Sequence, residues 1–356
     1  MRRLLALVRG IHWTHKRAAI AAGTVLAVVA AVIMAIASAT SGAPADLPWA
    51  PGAHPKPTPT LAANVSPITG KHWQYPGKPI AVKIDNVADA RPATGIDHAG
   101  LIYVLPVEGG LSRLMAVFSS NDLPPQIGPV RSARQTDLQL LRQFQHPAFV
   151  FSGATPKLEP YIAGLRWLKD LCAYPVFGTG YFRDDAIPAV TGSRSAPHDL
   201  YITNTALWAQ LGSVGHLADI GFRFSLNPPA GGKPVAEETT GYANASYTFV
   251  WSATDNAWRI KMDGQYAYTS SGTPLEASTV VIQHTVIGTS PFKEYGSRPP
   301  YAHSTGTGKA LVLRNGQAFP CFWTRLHATS GTIFTNIATG DRMTFEPGQI
   351  WVVLVS

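Results

Sequence analysis

The chain predicts an α+β fold: an N-terminal α/β layered domain with a mixed sheet, then a smaller β-rich domain, behind a single N-terminal transmembrane helix. Three observations carry this. Strand-like and helix-like patterns alternate over residues 67–226. β-branched and alternating runs with turn signals, and no helical face, fill 235–356. One almost uninterrupted apolar run, Ala18–Ala37, precedes both. Of the 356 residues, 46% are hydrophobic and only 14% charged, which excludes a disordered charged tail and supplies a sizeable core. With one long apolar run, a multi-span transporter is also excluded.

The N-terminal segment comes first. Its 20 residues span about 30 Å as a helix, one hydrocarbon core. Arg2, Arg3, Arg9, Lys16 and Arg17 stand before it, and no acidic residue occurs before Asp46. The expectation is a basic cytoplasmic tail (1–17), a membrane-spanning segment (18–38) and an extracytoplasmic remainder. Ala37-Ser38-Ala39 fits a small-x-small cleavage rule, so secretion after cleavage near Ala39 stands as the alternative. Those five cations account for most of the net +8, leaving +3 for the rest, so a nucleic-acid partner is not expected. Six prolines between Pro44 and Pro59 mark a semi-rigid tether over 39–66.

In the first folded part, Pro79–Ile84, Leu101–Val107 and Leu114–Phe118 read as strands, with Gly109-Gly110 as a turn. Ser132 and Gln135 fit a capping box that opens a helix carrying Leu138, Leu141 and Phe144 at helical spacing. Ala148–Phe151 reads as a buried strand. Helices are expected from Thr155-Pro156 and from an Asn204 cap. Asn227–Pro234 reads as a linker. Beyond it come strands at Tyr247–Trp251, Trp258–Met262, Thr279–His284, Ala310–Leu313 and Ile350–Val355. Thr254-Asp255-Asn256 and Asn315-Gly316 give hairpin turns, so this half reads as a small sandwich or barrel. Cys172 and Cys321 leave two readings open, a disulfide joining the halves or two buried thiols.

Polar residues concentrate between Asp85 and Tyr201, at strand ends and turns where open α/β sheets place ligands. His198 is the acid–base candidate, with Asp85 or Glu108 as its carboxylate partner. Asn86, Arg91, Arg131, Ser132, Arg134 and Arg183 are ligand-binding candidates. Arg131 and Arg134, next to a helix start, suit a carboxylate or phosphate. The competing reading pairs them with Asp85, Asp97, Glu108 or Asp137 as braces. There is no G-x-S-x-G elbow, zinc-ligand spacing or dinucleotide fingerprint, so neither a metal nor a cofactor is expected. Ser304–Lys309 lacks two positions of a P-loop and reads as a turn.

Taken in order, Pro67-Ile68-Thr69-Gly70, Ile84-Asp85-Asn86 with Arg91-Pro92, Val107-Glu108-Gly109-Gly110, Ile127-Gly128-Pro129-Val130-Arg131-Ser132-Ala133-Arg134, Phe182-Arg183 and Ala196-Pro197-His198-Asp199-Leu200-Tyr201 resemble the YerB-like lipoproteins. The resemblance runs from about residue 67 to the C-terminus. It implies two domains in a bacterial, extracytoplasmic, surface-associated protein, and no activity. The chain departs from that pattern in having no lipobox cysteine near the apolar run, so a transmembrane anchor would replace the lipid. Two functions follow as expectations: a membrane-tethered module binding an anionic cell-envelope ligand or an envelope protein, or a hydrolase or transferase acting on a wall polymer.

Overall fold

The computed structural model describes residues 64–174, 180–293 and 296–356. The expected tail and spanning segment, and nearly all of the expected tether, lie outside these residues. Among the described residues no helix is long and apolar enough to cross a membrane.

The organising element is an 11-stranded mixed sheet. From one edge its strands run Ile333–Asn336, Gln317–Arg325, Gly306–Arg314, Thr279–His284, Ile350–Val355, Leu101–Pro106, Ser112–Ser119, Pro79–Asp85, Ala148–Phe151 and Lys169–Cys172, and the short Lys233–Pro234 pairs with Gln317–Arg325. The C-terminal strand Ile350–Val355 is the seam. It runs parallel to both Thr279–His284 and Leu101–Pro106, so the β-rich half extends the sheet of the first half instead of closing on itself. All six of its residues are buried, the continuous apolar pattern of a strand covered on both faces.

Period-two alternation sorts the two faces. Ile80, Val82 and Ile84 join one core with Tyr247, Phe249, Trp258 and Ile260 from a smaller antiparallel sheet, Glu237–Tyr242, Ala245–Ser252 and Ala257–Met262. Ala81, Met115, Val117 and Phe149 join a second core with Leu138, Leu141 and Phe144. Lys83 and Asp85 alternate with the first set, so they project on the helix side.

Several boundaries differ from expectation. The first helix starts at Gln135, not at Ser132, and spans only Gln135–Leu141 before a 3-10 turn at Arg142–Phe144. Its cap is Arg134, whose backbone N–H donates to Asp137 Oδ2 at 2.7 Å. An aspartate therefore already occupies the helix N-terminus, and with only seven residues the helix offers no anion site of its own. The second helix spans Leu158–Ala163, and the third, Asn204–Gln210, is capped by the Thr203 hydroxyl rather than by Asn204. The strand Leu200–Thr203 lies between Gln126–Ile127 and Tyr181–Arg183, its own apolar run being too short to flag the small sheet they form.

The two cysteines are free thiols. Cys172 is in one edge strand and Cys321 lies eight strand positions away. At about 4.8 Å per step that is roughly 38 Å along the sheet, against the about 7 Å between Cα atoms that a disulfide tolerates.

Candidate functional site

The segment Gly128–Arg134 positions the site. It is extended, and its backbone is stitched on both sides: Asp85 N–H donates to Pro129 O at 2.9 Å, Arg131 N–H to Lys83 O at 2.8 Å and Val130 N–H to Leu200 O at 2.6 Å. Farther along, Ser152 N–H donates to Arg131 O and Ala133 N–H to Gly153 O. Gly128 is required by packing, because a Cβ there would stand 2.5 Å from Tyr201 Cδ1 and 2.7 Å from Leu200 O. The Gly128–Pro129 and Ala196–Pro197 peptide bonds are cis.

This stitching gathers Asp85, Glu108, Arg131, Arg134 and His198 around one pocket of about 500 Å³, together with Arg113. Asp85 ends its strand and its side chain is only 2% exposed. Its Oδ2 lies 2.8 Å from His198 Nδ1 and 2.8 Å from Arg131 Nε, and its Oδ1 accepts the Asn86 N–H at 2.9 Å. The Arg131 contact is an ion pair by distance, the Nε–H being misaligned for a hydrogen bond. Burial pushes the Asp85 carboxyl up, but the His198 hydrogen bond and the Arg113 and Arg131 guanidinium charges outweigh it and leave it below its ordinary value. Asp85 is thus ionised near neutrality and can only accept, so His198 Nδ1 is the donor. In the neutral ring Nε2 then carries the lone pair, and among the described residues it makes no hydrogen bond.

Glu108 opens the glycine turn, with Gly109 and Gly110 both at positive φ. Arg134 grips it in a fork, Nε to Oε1 at 2.8 Å and Nη2 to Oε2 at 3.0 Å. Burial raises the Glu108 carboxyl, and the Arg134 hydrogen bonds outweigh that and lower it. The brace reading of the two arginines is realised: Arg131 pairs with Asp85 and Arg134 with Glu108. They nonetheless still line the pocket.

Arg113 was not singled out by the sequence. It stands opposite Asp85 in the strand register, and among the described residues its guanidinium makes one hydrogen bond, from Nη1 to Ser132 O at 2.9 Å. No carboxylate lies within ion-pair distance among the described residues. Burial, and then the Arg134 charge, push its guanidinium down to about 10. The available signal was a lone cation in the apolar run Leu111–Phe118. Below the pocket Lys83 Nζ meets Asp137 Oδ1 at 2.8 Å with both side chains fully buried, and burial dominates in lowering the lysine.

The remaining candidates lie elsewhere. Ser132 contributes its carbonyl to Arg113 but does not line the pocket. Arg183 is exposed and pairs with Asp199. Asn86 and Arg91 belong to a second cavity beyond the sheet end. Asn86 Nδ2 donates to Tyr247 Oη at 2.6 Å, and Arg91 Nη2 to Asp263 Oδ2 at 2.6 Å. The β-rich half also holds the glycine turn, through Asn244 N–H to Gly110 O and Asn244 Nδ2 to Gly109 O.

The fold and pocket define a sheet-dominated α+β protein whose two sequence halves share one sheet, with a charged pocket at the strand ends. Residues 68–216 match the family described as "Protein of unknown function (DUF3048) N-terminal domain", and residues 238–352 match its C-terminal domain. The chain belongs to this YerB-like family. It is 37% identical over 94 residues to "Putative lipoprotein YerB" of Bacillus subtilis (strain 168), a stretch covering 26% of this chain and 28% of that protein. The crystal structure of YerB protein from Bacillus subtilis superposes with a TM-score of 0.67 at 20% identity, covering 82% of this chain and 96% of that one.

Proposed function

We propose that the protein is a membrane-tethered extracytoplasmic module that binds an anionic group of the cell envelope in the Arg113 pocket. The observation that carries this is Arg113 itself. It is a half-buried guanidinium with one hydrogen bond and, among the described residues, no carboxylate within ion-pair distance, and it lines the pocket with two other arginines. Three guanidinium groups face two carboxylates there, so the pocket holds a surplus positive charge that a carboxylate or phosphate would neutralise. The apolar run Ala18–Ala37 supports a single-pass anchor with the N-terminus cytoplasmic, or secretion after cleavage near Ala39. The relative's name as a lipoprotein supports an envelope location. Calorimetric titration of the intact chain with inorganic phosphate and with glucuronate tests the pocket. Arg113→Gln is expected to weaken binding about tenfold or more, because a buried charged hydrogen bond is worth about 1.5–3 kcal/mol. Unchanged affinity in that variant would remove the site.

The Asp85–His198 pair supports a second reading, hydrolysis or transfer on a wall polymer with His198 as acid–base group and the arginines holding the substrate. Release of soluble fragments from purified wall polymer is then lost in His198→Ala and retained in Asp89→Asn. Activity that survives His198→Ala rejects it.

A further inference from the structure

A groove of about 610 Å³ follows the first helix. Gln135, Leu138, Gln139 and Arg142 recur at i, i+3, i+4 and i+7, so they share one face, and that face lines it. The other lining residues are all aromatic. Tyr161 and Trp167 come from the second helix and the loop after it, Phe292 and Tyr301 from the β-rich half. Tyr161 is 52% exposed, and its ring centre lies 5.5 Å from that of Phe292. No acidic side chain lines the groove.

Its polar groups are sorted by kind. Both amide carbonyls are engaged within the protein: Gln135 Oε1 accepts from Ser290 Oγ at 2.7 Å, and Gln139 Oε1 accepts the Ser304 N–H at 2.7 Å. Three donor groups are not engaged. Gln135 Nε2, Trp167 Nε1 and the Arg142 guanidinium make no hydrogen bond among the described residues, and none of these nitrogens is buried, so all of them reach solvent. Arg142 has no ion pair among the described residues either, and its guanidinium is held over the Trp167 ring, 4.6 Å from the centre.

A ligand matched to this lining presents apolar faces and acceptors, without donors of its own. A sugar brings an O–H with most of its oxygens, and an ordinary extended peptide brings an N–H with every carbonyl. Proline carries a carbonyl and no N–H, and its runs form a preformed helix that needs no internal hydrogen bonds. Aromatic-lined grooves are the general receptors of such runs. From Gln135 to Arg142 the helix face rises about 10 Å, the length of about one three-residue turn of polyproline II. We propose that this groove binds a proline-rich segment of another protein in the polyproline II conformation. Its rings pack on Tyr161, Phe292 and Trp167, and its carbonyls accept from Gln135, Arg142 and Trp167. The site stands independently of the Arg113 pocket.

Fluorescence anisotropy of a labelled decaproline peptide, titrated with the intact chain, tests it. Saturable binding is expected. A (Gly-Ser)5 peptide, with an N–H at every residue, is expected to bind at least about tenfold more weakly. Tyr161→Ala, at an exposed position, is expected to weaken decaproline about threefold to tenfold, the range of an aromatic packing contact. Trp167→Phe keeps a ring and removes the N–H, and is expected to weaken it about threefold or more. Tyr75→Ala, at an exposed tyrosine outside the groove, leaves the affinity unchanged. The chain's own six prolines between Pro44 and Pro59 are present in every variant, so differences between variants report the groove. Should Trp167→Phe fail to fold, Tyr161→Ala decides. The proposal is overturned by the absence of saturable decaproline binding, by an affinity unchanged in Tyr161→Ala, or by a groove that takes N-acetylchitotriose in a Tyr161-dependent way and ignores decaproline.

Discussion

His198 Nδ1 lies 2.8 Å from Asp85 Oδ2 across 113 residues of chain. The strand Pro79–Asp85 delivers the carboxylate at its carboxyl end. The Pro197-His198 segment leads into Leu200–Thr203, whose first residue accepts the Val130 N–H. Gly128–Arg134 is therefore a splint, with one side on the strand of Asp85 and the other on the strand after His198. That arrangement makes Asp85 both a structural tie and the group that fixes the imidazole tautomer.

Asp85→Asn tests the tie. An amide keeps the shape but loses the charge that His198 and Arg131 face, and a hydrogen bond to a charged group is worth about 1.5–3 kcal/mol. Urea unfolding of the intact chain is expected to show a loss in that range, with the slope unchanged. Asp89, exposed and bonded to Thr191, serves as control, and Asp89→Asn should move stability by less than about 0.5 kcal/mol.

Local signals in the sequence were read well where the side chains carry the information. Thr279–His284 and Ile350–Val355 have the bounds that their apolar runs suggest, and Asn315-Gly316 turns with both residues at positive φ. Long-range pairing was not legible. Nothing in Ile350–Val355 states that it will run parallel to Leu101–Pro106, some 250 residues earlier, because register and partner come from how the layers pack. For the site, charged residues at turns pointed to Asp85, Glu108, Arg131, Arg134 and His198. Arg113 escaped because an arginine within a strand reads as a solvent-facing alternation. Asn86 and Arg91 stand close to Asp85 in the sequence, but Asn86 follows the end of that strand and Arg91 the 3-10 turn Ala88–Ala90, and both line the second cavity instead.

Acid should weaken the fold through Asp85 and Glu108. Both carboxyls lie below their ordinary values of 3.8 and 4.5 in the folded state. As pH falls through those ordinary values the unfolded chain takes up protons first, so stability present above them is lost progressively below. Asp170 and Glu276, raised chiefly by burial, act in the opposite sense. The urea midpoint is expected to fall between about pH 5 and about pH 3, and to fall less in Glu108→Gln than in the unmodified chain. An equal fall in both would assign the acid sensitivity elsewhere.

The Lys83–Asp137 pair is fully buried, and Asp137 also caps the first helix. Removing one partner of such a pair strands a charge, at a cost of about 3–5 kcal/mol. Lys83→Met is expected to lose about that much in urea unfolding. Replacing the lysine by methionine while also making Asp137→Asn should recover part of the loss, since the amide still accepts the Arg134 N–H. A single variant as stable as the parent would reject the pair as a stabilising contact.

Both thiols should resist alkylation in the folded chain. Burial pushes Cys172 and Cys321 up to about 12, so the reactive thiolate is scarce near neutrality. Iodoacetamide at about pH 7.5 is expected to label neither at an appreciable rate. After denaturation without any reductant it should label both, as read by intact mass. A chain that labels only after reduction would contradict the free thiols.

Gly128 couples packing to the site most directly. The peptide before Pro129 passes so close to Tyr201 that an added methyl meets Tyr201 Cδ1 at 2.5 Å and Leu200 O at 2.7 Å. The ring of Tyr201 is fixed in turn by Arg194 Nη1, 2.7 Å from its hydroxyl, and it cannot swing away cheaply. Gly128→Ala must then push the splint off the Leu200 strand, at about 1–3 kcal/mol for overpacking. Arg131 and His198 sit on the two sides of that contact, so the same methyl should spread the Arg131–Asp85–His198 cluster. The expected signature is a moderate loss of unfolding free energy together with a disproportionate loss of phosphate affinity. Ala189→Gly, also in the loop region but away from the splint, should alter neither property in that proportion. Loss of stability with phosphate affinity intact would show that the splint carries the fold and not the pocket.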